Sequence, residues 1–306
     1  MRAAVIGGSG FVGGYIVDAL LSAGHQPSLL VRAGSRDKLR RAGECRIVEG
    51  EPSSVEALES TIEGCAAVIF LVGILREFPR RGITFEALQY QAAVRAAEAA
   101  RRLGARRFLL MSANGVRSPG TPYQETKFRA EEYLRGGGLD VTVFRPSVVF
   151  GDPRGTMEIA TQLHRDMIAP PLPALAFHTG WRAATGQVRM SPVHVEDVAD
   201  AFVRALTDPA SIGKTFTLGG PEELTWTEML RRVAVAVDRR KLILPMPIGL
   251  MRIAATLLDR LPFFPVTRDQ LTMLAEGNTA DSAELRALIG REPRPFAPAE
   301  LAYLVA

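Results

Sequence analysis

Gly7-Gly8-Ser9-Gly10-Phe11-Val12-Gly13 begins directly after the short apolar run Ala3-Ala4-Val5-Ile6. A short apolar run bounded by glycine reads as a buried strand, and the segment from Phe11 to Ala23 reads as a helix. A strand that turns through glycines into a helix builds an anion seat. The first helical N–H groups have no internal partner and point outward. Gly7 allows the sharp turn, Gly10 lets the backbone approach a pyrophosphate, and Gly13 lets the helix lie close to the strand. The expected seat is the whole stretch, Ser9, Phe11 and Val12 included.

Working outward, strand and helix alternate. Pro27 to Val31 is a second apolar run, ending at Arg32, and Cys45 to Val48 is a third. Ala66 to Val72 is near-continuous and β-branched, the pattern of a strand buried on both faces. An alanine-rich helix is predicted from about Thr84 to Leu103, stopped by Gly104. Phe108 to Met111 and Leu139 to Phe144 are the fifth and sixth strands, with a helix between them. The alternation implies an α/β fold, a Rossmann-type doubly wound parallel sheet with right-handed crossovers. After about Phe150 the regularity breaks. Pro170-Pro171-Leu172-Pro173 and the glycine- and proline-punctuated segments to Pro298 predict a smaller lobe. The expected organisation is a dinucleotide-binding domain over 1–150 and a smaller mixed α/β substrate lobe over 151–306, interleaved with the last strands of the sheet.

The 306 residues are 47% hydrophobic and 23% charged, an ordinary globular composition. Lys and Arg number 37 against 33 acids, for a formal charge of +4, a slight excess that suits a phosphate-bearing ligand without requiring nucleic acid. Cys45 and Cys65 read as free thiols beside apolar runs, with neither a disulfide framework nor zinc spacing. Met1-Arg2 leads straight into the first strand, and no stretch of ~18 apolar residues is free of charge or proline. A cytoplasmic protein without a transmembrane segment is the expectation.

The end of the second strand bears on the cofactor. An acid there holds the ribose 2′-OH of NAD, whereas here Val31-Arg32 is followed by Ala33-Gly34-Ser35-Arg36-Asp37-Lys38. A guanidinium suits a 2′-phosphate by bidentate hydrogen bonding, so Arg32 points to NADP, with NAD left open. The second chemical signal is Tyr123-Gln124-Glu125-Thr126-Lys127, placed at a helix start after Ser118-Pro119-Gly120-Thr121-Pro122. Residues four apart on a helix share a face, so phenol and ammonium can address one ligand. A free tyrosine titrates near ~10, and a neighbouring positive charge stabilises its phenolate. Tyr123 is the candidate acid/base and Lys127 its electrostatic partner and a holder of the cofactor ribose.

With these stand Arg145-Pro146-Ser147-Val148-Val149-Phe150-Gly151, Ser191 to Ala199 and Thr217-Leu218-Gly219-Gly220-Pro221. Together, and in order over nearly the whole chain, they resemble an extended or atypical short-chain dehydrogenase/reductase, the NAD-dependent epimerase/dehydratase type. Val68 to Leu75 and Pro265-Val266-Thr267-Arg268-Asp269-Gln270-Leu271 resemble the branch that contains the dinucleotide-binding accessory subunit of respiratory complex I. The resemblance implies that Val72 and Gly73 line the cofactor channel and that Pro146 and Val148 border the nicotinamide. It also implies that His194 to Asp197 are structural, with His194 packed rather than catalytic.

The chain departs from the enzyme pattern around the tyrosine. The usual serine or threonine position reads Ala113 or Asn114, so Ser112, one residue earlier, is the catalytic candidate with Asn114 as the alternative donor. The asparagine of the usual proton relay is replaced, with Gln89 or Gln91 nearby. Two functions follow. One is an NAD(P)-dependent oxidoreductase acting on a hydroxyl or carbonyl, with a sugar nucleotide and an isoprenoid- or quinone-like molecule as the candidate substrates. The other is a non-catalytic NADPH-binding module of a larger assembly. Finally, Pro245 to Pro265 reads as an amphipathic helix, either core of the smaller lobe or a peripheral membrane contact. Oligomerisation is left open.

Overall fold

The computed structural model describes residues 1–180, 186–251 and 268–305. Six strands from the first half, β1 (Arg2–Ile6), β2 (Gln26–Val31), β3 (Arg46–Glu49), β4 (Ala67–Phe70), β5 (Arg107–Met111) and β6 (Asp140–Pro146), join a seventh, Thr215–Leu218. Their order is Thr215–Leu218, β6, β5, β4, β1, β2, β3, and every neighbouring pair is parallel. The winding direction reverses at β1. The crevice beyond the carboxyl ends of β1 and β4 is therefore where a ligand of such a sheet belongs.

The alternation within each strand explains the continuous apolar runs. Ala3, Val5, Ile69, Leu109 and Phe144 turn to one face, under α1 (Phe11–Ser22) and the helix Val195–Thr207. Ala4, Ile6, Val68, Phe70, Phe108 and Leu110 turn to the other, under α2 (Val55–Ile62), α3 (Ala92–Leu103) and α4 (Pro122–Arg135). Both faces are covered, so neither set of side chains can be polar. On α3, Ala92, Ala93, Ala96, Ala97, Ala99 and Ala100 are fully buried, and their small side chains let the helix approach the sheet closely.

Three elements differ from the sequence expectation. The single helix predicted from Thr84 is interrupted: Glu86–Gln91 form a π-helical turn before α3, a widening often found beside functional sites. The helix α2, started by Ser54 accepting the Ala57 N–H at 3.1 Å, was not anticipated. Beyond Phe150 the chain is more regular than its punctuation suggests, with helices Val195–Thr207 and Trp226–Ala236. This half builds its own cluster around Phe150, Trp226, Met229 and Phe296. It also forms a two-stranded parallel sheet from Ala174–His178 and Ile243–Pro247. Pro245 to Pro247 thus end a strand, and the expected amphipathic segment turns helical only from Ile248, with 248–251 in helix and residues 252–265 of that segment outside the described residues.

Candidate active site

Gly7 sits at φ +96°, a conformation costly for any residue with a Cβ, and its carbonyl accepts the Gly10 N–H at 3.1 Å. Gly10 occupies the N-cap of α1 and offers no side-chain cap; the Gly14 N–H bonds to the Gly10 carbonyl at 2.9 Å. The amides of the first helical turn are therefore left for a ligand, and the helix dipole favours an anionic one. Gly13 lies directly behind this turn: a Cβ there would stand 2.2 Å from the Gly7 oxygen and 2.8 Å from the Gly8 Cα. Gly13→Ala is expected to lose ~1–3 kcal/mol and to weaken dinucleotide binding, because backbone atoms must move. Gly14→Ala, whose Cβ meets nothing nearer than an Arg154 guanidinium nitrogen at 3.8 Å, is expected to gain ~0.5–1 kcal/mol. Denaturant titration of the two variants side by side checks this, and equal stabilities would contradict it.

In front of the turn opens a cleft of about 210 Å³. Gly7, Ser9, Gly10, Arg32, Val72 and Gly73 all line it, so six of the residues singled out in the sequence meet on one surface. Phe11 and Val12 pack instead against the apolar cluster under α1, and Gly13 is buried behind. The cleft also contains Lys38, Gly50, Glu51, Pro52 and Leu88. Glu51 was not anticipated. The signal for it lies in the register, since β2 and β3 end together with Val31 opposite Glu49, and the residues after β3 must reach the same crevice.

α4 starts with a capping box, Thr121 and Gln124 bonding reciprocally, and with Pro122 in its first turn. This fixes the first turn and hence Tyr123. Lys127, 6% exposed, rises between β5 and the loop after β4. Its Nζ donates to the Met111 carbonyl at 3.2 Å and stands 5.6 Å from the Tyr123 ring centroid. A Cβ on Gly73 would be 3.6 Å from that Nζ, so Lys127 backs directly onto the cleft wall. Burial pulls the ammonium pKa down to about 8, with Glu131 opposing the shift. Tyr123 is half-buried, its ring edge-on to Phe85 at 5.7 Å, and burial pushes its phenol above the ordinary tyrosine value. Around neutral pH the pair is therefore a protonated phenol near an ammonium.

The surrounding polar groups are engaged with the protein. Ser112 donates its hydroxyl to Glu131 at 2.5 Å. Glu131 is fully buried and also holds Arg145 at 3.0 and 2.6 Å and Arg135 at 2.9 Å. The Asn114 amide donates to Asn278 Oδ1 and the Thr279 carbonyl, both at 2.8 Å. Gln89, in the π-helical turn, donates to the Ile74 carbonyl at 2.8 Å and accepts the Thr126 hydroxyl at 3.2 Å, tying the loop after β4 to α4. Gln91 is exposed and meets Arg95. Pro146 is buried at the end of β6, and Val148 packs against the cluster of the second half; neither lines the cleft. His194 accepts the Glu196 N–H on Nδ1 at 3.2 Å, caps Val195–Thr207 and stacks edge-on to Phe150. Burial lowers its pKa. Among the described residues no group of side chains has a metal-binding arrangement, and no helix is long and apolar enough to cross a membrane.

Residues 7–169, more than half of the chain, match the model of a family described as NAD(P)H-binding. A ceramide reductase of Caulobacter vibrioides is 28% identical over 257 residues, spanning 84% of this chain and 77% of that protein. The mitochondrial NADH dehydrogenase [ubiquinone] 1 alpha subcomplex subunit 9 of Mus musculus is 26% identical over 277 residues, spanning 88% and 70%. The crystal structure of gox2253 superposes with a TM-score of 0.77 at 21% identity, covering 99% of this chain and 96% of that one, a likeness of fold.

Proposed function

The chain belongs to the NAD(P)H-binding family, and on that premise we propose that it is an oxidoreductase of the atypical short-chain type acting on a carbonyl or the matching hydroxyl. The observation that carries this reading is Lys127 backing onto the wall of the glycine-lined cleft at Gly73, with the Tyr123 ring centroid 5.6 Å from its Nζ. The first turn of α1 would hold the pyrophosphate, Arg32 and Lys38 the adenosine end, and Lys127 the nicotinamide ribose. The bound cofactor would supply or take the hydride. Tyr123 would give the proton to the substrate oxygen as the carbon is reduced, and Lys127 would stabilise the phenolate left behind. The relative named ceramide reductase supports a long-chain, lipid-like substrate over a sugar nucleotide. Stopped-flow assay with NADPH and long-chain keto compounds tests the reading. Cofactor binding without oxidation across such a panel would count against it.

Arg32 and Lys38, both exposed on the cleft, support NADPH as the preferred cofactor. Arg32→Ala is expected to weaken NADPH binding roughly tenfold, the worth of a charge-assisted hydrogen bond, and to leave NADH unchanged. Fluorescence titration of both cofactors checks it, and an equal loss for the two would remove Arg32 from that role.

A second reading, a cofactor-binding module without turnover, is favoured by one specific observation. The two donors expected to orient a substrate oxygen, Ser112 and Asn114, both serve protein partners. The relative from the NADH dehydrogenase complex is compatible with that role.

A further inference from the structure

At one end of the two-stranded sheet, segments 168–173 and 239–242 line a shallow cleft of about 380 Å³, separate from the dinucleotide cleft. Leu172 and Leu242 stand on it at 71% and 65% exposure, and Leu244 follows along the outer strand at 42%. Arg239, Arg240 and Lys241 run beside them. Among the described residues beside these cations in sequence, Asp238 is a single acid against three cations, and Asp166 near the other segment is paired with Arg165 at 2.6 Å.

We propose that this patch docks onto the surface of an anionic phospholipid bilayer. Leu172 and Leu242 enter the boundary between headgroups and acyl chains, and Arg239 and Arg240 meet the lipid phosphates. Charge complementarity is the first support: projecting leucines flanked by cations combine apolar burial with attraction to anionic lipid. The chemistry of the loop is the second. Pro170, Pro171 and Pro173 have no N–H, so across 170–173 only Leu172 brings an amide hydrogen into a poorly hydrated layer, where an unpaired one is costly. Lys241 Nζ donates to the carbonyls of Ile168, at 3.0 Å, and Pro170, and Arg239 donates to that of Ala169 at 2.9 Å. These bonds satisfy loop acceptors and fasten the loop that carries Leu172. The third support concerns the alternative occupant. The outer strand carries Pro245 and Pro247, which cannot donate to a further ladder, so addition of a strand from another protein is disfavoured.

The test is co-sedimentation of the full chain with vesicles of phosphatidylcholine alone and of phosphatidylcholine mixed with phosphatidylglycerol. The protein is expected to pellet with the mixed vesicles, less so as salt rises, and to stay in solution with phosphatidylcholine alone. The paired substitutions Leu172→Ser with Leu242→Ser, and Arg239→Gln with Arg240→Gln, are each expected to lower partitioning roughly tenfold or more. All four side chains are exposed, and unchanged thermal midpoints and NADPH titrations would show that the variants fold. No pelleting with either vesicle, or pelleting that either pair of substitutions leaves intact, overturns the proposal. Neither result bears on catalysis, so the two readings fail separately.

Discussion

Tyr123→Phe is expected to lower kcat by ~10²–10⁴-fold on the substrate that the wild-type protein turns over, with cofactor affinity unchanged. The substitution removes one oxygen from a half-buried ring held by Phe85, so packing is retained and only the proton donor is lost. Lys127→Met should differ in kind. It removes the ammonium beside the phenol and a group at the cofactor cleft, so both kcat and cofactor binding should fall. The pH profile separates the two roles. Lys127 is charged below about 8, so kcat/KM for carbonyl reduction should hold through neutral pH and decline as the pH rises through that value. Tyr123, with its pKa above the ordinary value, stays protonated over the same range. Steady-state assays of wild type and both variants across that range check the assignment. An undiminished rate for Tyr123→Phe would end its role as proton donor.

Removing the Glu131 carboxylate is expected to be the most destabilising of these changes, with Glu131→Ala losing ~3–5 kcal/mol. The group is fully buried and gathers Ser112, Arg145 and Arg135, joining the end of β5 to α4 and β6. Arg135 is 35% exposed and can turn to water. Arg145 is 24% exposed, so it would be left largely desolvated without its counter-charge. Breaking one half of a buried pair is far worse than replacing both halves. Glu131→Leu combined with Arg145→Met should therefore recover most of the loss. Urea denaturation of the single and double variants measures the difference. A double variant no better than the single one would place the effect in packing and not in charge. Glu131→Ala also bears on chemistry, because it frees the Ser112 hydroxyl and withdraws the negative charge that helps keep Lys127 protonated.

How far the site was legible follows from the kind of contact involved. The glycine turn was legible because it is local: a strand, a positive φ and a helix start lie within a few residues, and each demands a particular residue type. Tyr123 and Lys127 share a helix face through spacing alone, and Arg32 follows directly from the end of β2. Ser112 shows the limit. Its place at the end of β5 could be read, but the direction of its hydroxyl depends on a glutamate nineteen positions later, on another element. The same holds for Asn114, whose partners Asn278 and Thr279 return from the far end of the chain. The π-helical turn at Glu86–Gln91 left no mark in the apolar spacing, because its distinction is a hydrogen bond one residue longer than usual.

By itself, then, the order of apolar runs, glycines and amphipathic segments determined a doubly wound sheet with a glycine turn leading into its first helix, since those features rest on backbone geometry and on neighbours within a helical turn or a strand. Tertiary structure alone decided which polar groups face the cleft and which are used up by the protein, that Glu51 joins Arg32 on one surface, and that Leu172 and Leu242 stand together beside three cations. Those outcomes depend on strand register and on side chains far apart in the chain, and only the packed fold brings such groups within a few ångströms of one another.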